Sequence, residues 1–265
     1  MRNFRISLIQ MDSKDNVEDN LSKALYLFNK AVAEGADLVV FPETMNFLPF
    51  SREIYSENKD GRTVSLFKKL ARENGVDIHL GSILETSGSL KPYNTSFYID
   101  NNGEILSSYR KIHLFDAELS DGTSVRESDL YTSGKELSVF KTRFGTFGNA
   151  ICFDLRFPEL FRKLSLMGAE LIFVPSGFSY DTGRRHWETL LRARAIENGC
   201  FIIAPDQTGE KKKYPAYGHT MAVNPDGDVV GCLPEGEGVL TVDVNMDESV
   251  KARHDIPVLS NVKLI

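Results

Sequence analysis

Apolar and polar residues along this chain switch repeatedly between two periodicities. Phe4 to Met11 alternates at period two, the pattern of a strand with one buried face. From Asn16 to Glu34 the apolar positions Val17, Leu21, Ala24, Leu25, Leu27, Phe28 and Ala31 recur at helical spacing, and Gly35 ends the segment. Ala36 to Phe41 is a continuous apolar run, as expected of a strand covered on both faces. A second helix is predicted over Val64 to Asn74, stopped by Gly75, followed by strands over Val76 to Leu84 and Thr95 to Ile99. Asn101-Asn102-Gly103 is a hairpin signal leading into Ile105 to Tyr109.

The second half repeats the alternation. Leu137 to Phe140 and Gly145 to Ile151 read as a strand pair. Pro158 to Met167 is helical and Leu171 to Pro175 a buried strand. Arg184 to Asn198 is a helix closed by Gly199, and Phe201 to Ala204 is a strand. Thr220 to Asn224 and Val229 to Cys232 flank a Pro225-Asp226-Gly227 turn, and Gly238 to Val244 is the last strand. Helix–strand alternation implies α/β layering, and the hairpins imply mixed sheets. Two such halves, packed sheet against sheet with helices outside, would make a four-layer αββα sandwich, a step that periodicity alone does not carry. No linker, repeat or low-complexity stretch interrupts the pattern, so a single domain over residues 1–265 is expected.

Composition narrows the function classes. The net charge of −6 and pI of about 5.5 argue against a polyanionic partner, so no nucleic acid is expected. Lys211-Lys212-Lys213 reads as a solvated loop. No apolar stretch reaches membrane-spanning length. Three cysteines with neither a CxxC nor zinc-type spacing suggest free thiols in a reducing compartment, the cytoplasm, and no metal site. Cys200 and Cys232, at apolar strand positions, read as core thiols.

Cys152 falls where the apolar Phe147–Ile151 strand meets Phe157-Pro158-Glu159-Leu160, the first turn of a helix. Such an elbow pushes one side chain out of the sheet beside free backbone N–H groups, a geometry suited to a nucleophile. Glu43 follows Phe41-Pro42 at a buried strand end, where a desolvated carboxylate can act as a general base; a loop acid is the plainer reading. Lys111, in an amphipathic strand leading to a loop, is either a strand-edge lysine or a buried ammonium needing a carboxylate such as Glu43. His113, His186 and His219 are alternative bases for a thiol.

Several blocks together resemble the nitrilase superfamily of carbon–nitrogen hydrolases. They are Phe41-Pro42-Glu43, Tyr109 to Asp116, Ala150 to Glu159, Pro175 to Phe178, His186-Trp187-Glu188, Leu191 to Asn198, Gly218 to Met221 and Asp255 to Leu259, in that order over essentially the whole chain. The resemblance implies a catalytic triad of Glu43, Lys111 and Cys152, a second glutamate matched by Glu127, and pocket-lining roles for Phe178 and Thr182. It also implies a reaction needing no metal or organic cofactor, and a homodimer or higher homo-oligomer whose interface the Ser260–Ile265 tail could join. In the reaction so implied, Glu43 takes the thiol proton, Cys152 attacks a small-molecule amide, and Lys111 with the Phe153 backbone N–H stabilises the oxyanion on the way to a thioester. The flanking residues look most like the branch containing omega-amidase and deaminated-glutathione amidase, which act on small acids with a terminal amide, so ammonia release is expected. A nitrile or an N-carbamoyl amino acid suits the same triad. Carbamoylases carry two adjacent arginines where this chain has Leu155 and Arg156. Arg156 either binds a substrate carboxylate or pairs with Glu159 or Asp154 to brace the elbow. A non-catalytic scaffold is the reading from outside enzymology.

Overall fold

The computed structural model describes residues 2–264 apart from 51–53, 89, 119–121 and 123. The chain runs β1 (Asn3–Gln10), α1 (Val17–Ala33), β2 (Leu38–Val40), α2 (Arg62–Asn74), β3 (Asp77–His79), β4 (Ile83–Glu85), β5 (Tyr93–Ile99) and β6 (Ile105–Arg110). A ribbon of β7 (Asp116–Glu118) and β8 (Ser124–Arg126) follows, then β9 (Val139–Lys141), β10 (Thr146–Asn149), α3 (Pro158–Leu166), β11 (Leu171–Phe173), α4 (Tyr180–Asn198) and β12 (Phe201–Ala204). A second ribbon, β13 (Thr208–Gly209) with β14 (Ala216–Tyr217), precedes β15 (Met221–Val223), β16 (Val229–Cys232), β17 (Gly238–Asn245) and α5 (Asp247–Asp255).

Two mixed sheets result, as the alternation predicts. One has the order β17-β1-β2-β3-β5-β4 with β6 beside β5; the other has the order β16-β15-β12-β11-β10-β9. In each, three central strands are parallel, β1-β2-β3 in the first and β10-β11-β12 in the second. Antiparallel strands flank them. Each half is therefore a βαβαβ unit.

Strand periodicity sorts the core into layers. Phe4, Ile6 and Leu8 of β1 join Leu38, Val40, Phe147, Leu171, Phe173, Phe201 and Ile203 in one apolar cluster between the sheets. The intervening residues point the other way. Ile9 and Val39 pack with Phe28 and Phe67 of α1 and α2, while Ile172 and Ile202 pack with Phe161, Trp187 and Leu191 of α3 and α4. Helices, sheet, sheet and helices follow in order, the αββα sandwich expected from the sequence.

Several elements differ from expectation: α4 begins at Tyr180 rather than Arg184, and the short ribbons β7–β8 and β13–β14 were not expected. The segment Val76–Leu84 divides into β3 and β4 because Gly81 between them is left-handed (φ +62°), and a side chain there would meet the Pro42 carbonyl oxygen at 2.0 Å. Helix α5 carries almost no amphipathic signal, with Ser249 its one buried residue, so periodicity does not reveal it.

The inter-sheet layer also holds buried polar pairs, among them His79 with Asn149 and Tyr98 with Asp77. His79 Nε2 meets Asn149 Oδ1 at 3.0 Å, and His79 Nδ1 accepts the Gly81 N–H at 3.1 Å, so the ring proton is on Nε2. Burial lowers the His79 pKa to about 4, against the raising effect of Asn149. Because the folded pKa lies below the unfolded value of 6.5, the unfolded chain binds the proton first as pH falls. Stability contributed at neutral pH is thus lost between about pH 6.5 and 4, by up to about 3 kcal/mol. Urea unfolding across that window should show the loss in the wild type and a flatter profile in His79→Gln; parallel profiles would contradict it.

Candidate active site

The carboxyl ends of the parallel strands in both sheets converge on one cavity of about 480 Å³. Glu43 follows β2, Cys152 follows β10, Phe178 follows β11 and Gln207 follows β12, and all four line it. Strand ends are where open α/β sheets offer side chains and backbone polar groups free of the ladder.

Cys152 sits at a strained turn. Its φ is +48°, unfavourable for a residue with a Cβ, and a short 3-10 helix over Cys152–Arg156 follows at once. Its own N–H donates to Pro175 O at 3.0 Å. Among the described residues no acceptor is bonded to the next N–H, that of Phe153, and Phe153 borders the cavity. Burial pushes the Cys152 thiol well above the usual range, Glu43 adds to this, and Lys111 opposes it. The resting sulfur is therefore protonated and needs a base to act.

Lys111 is fully buried, yet it carries three charge-assisted contacts. Its Nζ donates to Glu43 Oε1 at 2.8 Å and to Glu127 Oε1 and Oε2 at 3.1 and 2.9 Å. Burial works against the ammonium, but Glu127 and Glu43 outweigh it and raise the Lys111 pKa well above normal. Glu127 is itself pushed up by burial, with Lys111 opposing, and it accepts the Phe115 N–H at 2.8 Å. Asn94 Nδ2 donates to the same Glu43 Oε1 at 2.8 Å, which leaves Oε2 facing Gly177 and the cavity.

Asp154 ties the elbow to the end of β6 and the segment after it, on either side of Lys111. It is wholly buried and accepts from Ile151 N (2.9 Å), Tyr109 Oη (2.7 Å) and His113 N (3.1 Å), and it meets His113 Nδ1 at 2.7 Å. His113 is thus committed to Asp154 and stacks on Phe157. His186 Nδ1 faces Arg156, and His219 Nδ1 faces its neighbour Tyr217 O. Among the described residues none of the three histidines is bonded to Cys152.

Arg156 departs from the bracing role. Among the described residues it pairs with neither Asp154 nor Glu159. Its guanidinium lies over the Phe178 ring at 5.2 Å and reaches His186 at 3.2 Å, on the cavity wall. Thr182 lines the same wall, its hydroxyl 2.7 Å from that of Ser179. Lys211, Lys212 and Lys213 border the cavity; Lys212 and Lys213 are exposed loop residues as expected, but Lys211 departs from the solvated-loop expectation, its side chain only 7% exposed and paired with Asp12 at 2.5 Å. The reason is Asp12 at the end of β1, a partner outside the lysines' own neighbourhood in sequence. A second correction concerns Cys232: it is exposed on the edge strand β16, whereas Cys200 is buried as expected. Sequence reasoning missed Asn94, Gln207 and Lys211. For Gln207 and Lys211 the available signal was the polar run directly after the buried strand β12; Asn94, inside β5, carried none.

Residues 5–254 match the carbon–nitrogen hydrolase family model, and the chain belongs to that family. It is 38% identical over 274 residues to the deaminated glutathione amidase of Dictyostelium discoideum, covering 98% of this chain and 94% of the relative. It is 35% identical over 262 residues to omega-amidase NIT2-B of Xenopus laevis, covering 97% and 94%. The crystal structure of the C. elegans NitFhit protein superposes with a TM-score of 0.90 at 32% identity, over 98% of this chain and 65% of that one. Among the described residues no helix is long and apolar enough to cross a membrane.

Asp154→Ala should leave four donors without their acceptor and loosen the elbow. Chemical denaturation is expected to show a loss of about 3 kcal/mol. A loss under about 1 kcal/mol would mean the tie is dispensable.

Proposed function

We propose that this hydrolase, one domain over residues 1–265, cleaves the terminal amide of a small carboxylic acid through a thioester on Cys152. One observation carries the reading: a buried, strained thiol shares a cavity with the Glu43–Lys111–Glu127 cluster and with an arginine that has no carboxylate partner among the described residues.

Glu43 takes the thiol proton as sulfur bonds to the amide carbon. The oxyanion that forms is met by the Lys111 ammonium and the Phe153 N–H. Oxyanion donors of this kind contribute about 3 kcal/mol each. Glu43 then gives the proton to the departing nitrogen, and the C–N bond breaks to leave the thioester. A water attacks that thioester with Glu43 again as base, and the carboxylic acid leaves as the thiol reforms. Glu127 holds the Lys111 ammonium charged and oriented throughout. Two easier steps replace one hard one.

Arg156 serves as the carboxylate anchor. A guanidinium matches a carboxylate with two parallel hydrogen bonds, and Phe178 beneath it shields the pair from water. Phe178 and Thr182 form the wall against which the acyl chain lies. The amidase names of the relatives support an amide over a nitrile or a carbamoyl group, and Leu155 beside Arg156 argues against the carbamoyl class. The departing nitrogen is ammonia from a simple acid amide. No cofactor enters these steps. Three free cysteines support a cytoplasmic setting. Exposed Ile196, Val250, Ile256 and Val258 support a homodimer. Of the tail assigned to its interface, Ile265 lies outside the described residues.

Ammonia and amine release from a panel of acid amides, a neutral amide, a nitrile and an N-carbamoyl amino acid tests this. Cys152→Ala should lose at least about 10⁴-fold in kcat on acid amides. Arg156→Lys should raise KM about tenfold for acid amides and leave the neutral amide unchanged. Turnover of only the nitrile or carbamoyl compound would overturn the substrate class. Turnover that survives in Cys152→Ala would overturn the mechanism.

A further inference from the structure

Gln207 uses the full hydrogen-bonding capacity of its side-chain amide. Nε2 donates to the backbone oxygen of Glu43 at 2.8 Å and to Ser13 Oγ at 2.8 Å. Oε1 accepts the Ser13 N–H at 2.9 Å and Lys211 Nζ at 3.1 Å. Its backbone N–H donates to Ser176 O at 2.9 Å. The partners fix the orientation of the amide, since a backbone carbonyl only accepts and an ammonium only donates. Through its side chain and its backbone N–H, this one residue joins the segments that follow β1, β2, β11 and β12.

Lys211 completes the joint. Its Nζ reaches Asp12 Oδ1 at 2.5 Å, Ser13 O at 3.1 Å and Gln207 Oε1 at 3.1 Å, which uses all three of its donors. The backbone it supports is under strain. Thr44, directly after Glu43, has φ +51° without being glycine, a conformation that costs about 1–3 kcal/mol and persists only when its surroundings hold it. Ser82 Oγ holds the Thr44 N–H at 2.9 Å, and Gln207 holds the carbonyl of Glu43.

We infer that Lys211 is a positioning residue for the reaction: its ammonium locks Gln207, which clamps the Glu43 backbone and keeps the carboxylate aligned with Cys152. The inference rests on the role proposed above for Glu43. It also accounts for burying a lysine at the cavity edge when a lysine is most easily accommodated in water.

The charges around Lys211 come from several elements. Asp12 pairs with it, Lys14 competes for Asp12 at 3.0 Å, Lys23 binds the Asp12 carbonyl and pairs with Glu237, and Asp206 lies close enough to act through charge. Burial lowers the Lys211 pKa to about 8, with Asp12 resisting. Raising the pH through that value removes the charge and leaves two N–H donors for the three acceptors Asp12 Oδ1, Ser13 O and Gln207 Oε1, which weakens the lock on Gln207.

Steady-state kinetics of full-length wild type, Lys211→Met and Lys211→Arg, on one acid amide and one neutral amide across pH 6 to 10, provide the test. Lys211→Met should lower kcat about tenfold or more on both substrates, with KM changing less than about threefold. The wild-type kcat should fall with a midpoint near pH 8, and Lys211→Arg should move that limb upward. An unchanged kcat with only a lower melting temperature would overturn the inference. A KM increase confined to the acid amide would overturn it too, by making Lys211 a substrate contact. Should Lys211→Met fail to fold, an alkaline limb in Lys211→Arg identical to wild type would contradict the inference. Absence of any Cys152-dependent amide turnover in the wild type would instead defeat the amidase reading on which it rests.

Discussion

The buried ammonium of Lys111 is the constraint around which the site is organised. Taking an ammonium out of water costs several kcal/mol unless charge and hydrogen bonds replace its hydration. Here Glu43 and Glu127 do so from opposite sides, at 2.8 and 2.9 Å. Two carboxylates facing one ammonium leave an excess of negative charge next to Cys152. That excess, together with burial, keeps the thiol protonated at rest. In the proposed reaction, charge would develop on sulfur only as the proton moves to Glu43. This differs from a thiol held as a thiolate by a histidine, and His113, bonded to Asp154, is not available for such a role.

The fold delivers these groups from separate parts of the chain. Each sheet contributes the carboxyl ends of three parallel strands, where the backbone leaves the ladder and side chains face a common space. Local devices then set the orientations. Asp154 fixes the elbow to the chain on either side of Lys111. Gly81 lets the chain pass within contact of Pro42 just before Glu43, and Ser82 and Gln207 hold the strained Glu43–Thr44 turn. Stability and catalysis are coupled here, because the strain at Cys152 and Thr44 persists only while these buried polar contacts remain made.

Much of this was legible in the sequence, for identifiable reasons. The strands Phe4–Met11, Leu171–Pro175 and Phe201–Ala204, and the helices from Asn16 and Pro158, announce themselves because their apolar periodicity is strong and Gly or Pro punctuates them. Glu43, Lys111, Glu127 and Cys152 stood out by motif, and they meet in space. What escaped was non-local. Lys211 looked like one of three solvated lysines because its partner Asp12 lies 199 positions away. Arg156 appeared to have Asp154 and Glu159 as partners, but Asp154 was already occupied by Ile151, Tyr109 and His113. Cys232 was misplaced because an edge strand and a central one share the same apolar pattern. Helix α5, held by its surroundings with one buried residue, left no periodic trace.

The most direct test of the account is the mass of the enzyme caught during turnover. Wild-type protein mixed with an acid amide and quenched in acid within milliseconds should carry one acyl group, the substrate acid less water, and peptide mapping should locate it on Cys152. An acyl group on Cys200, on Cys232 or on any other residue would contradict the account. So would the absence of any adduct under conditions where amide hydrolysis proceeds and thioester breakdown limits the rate.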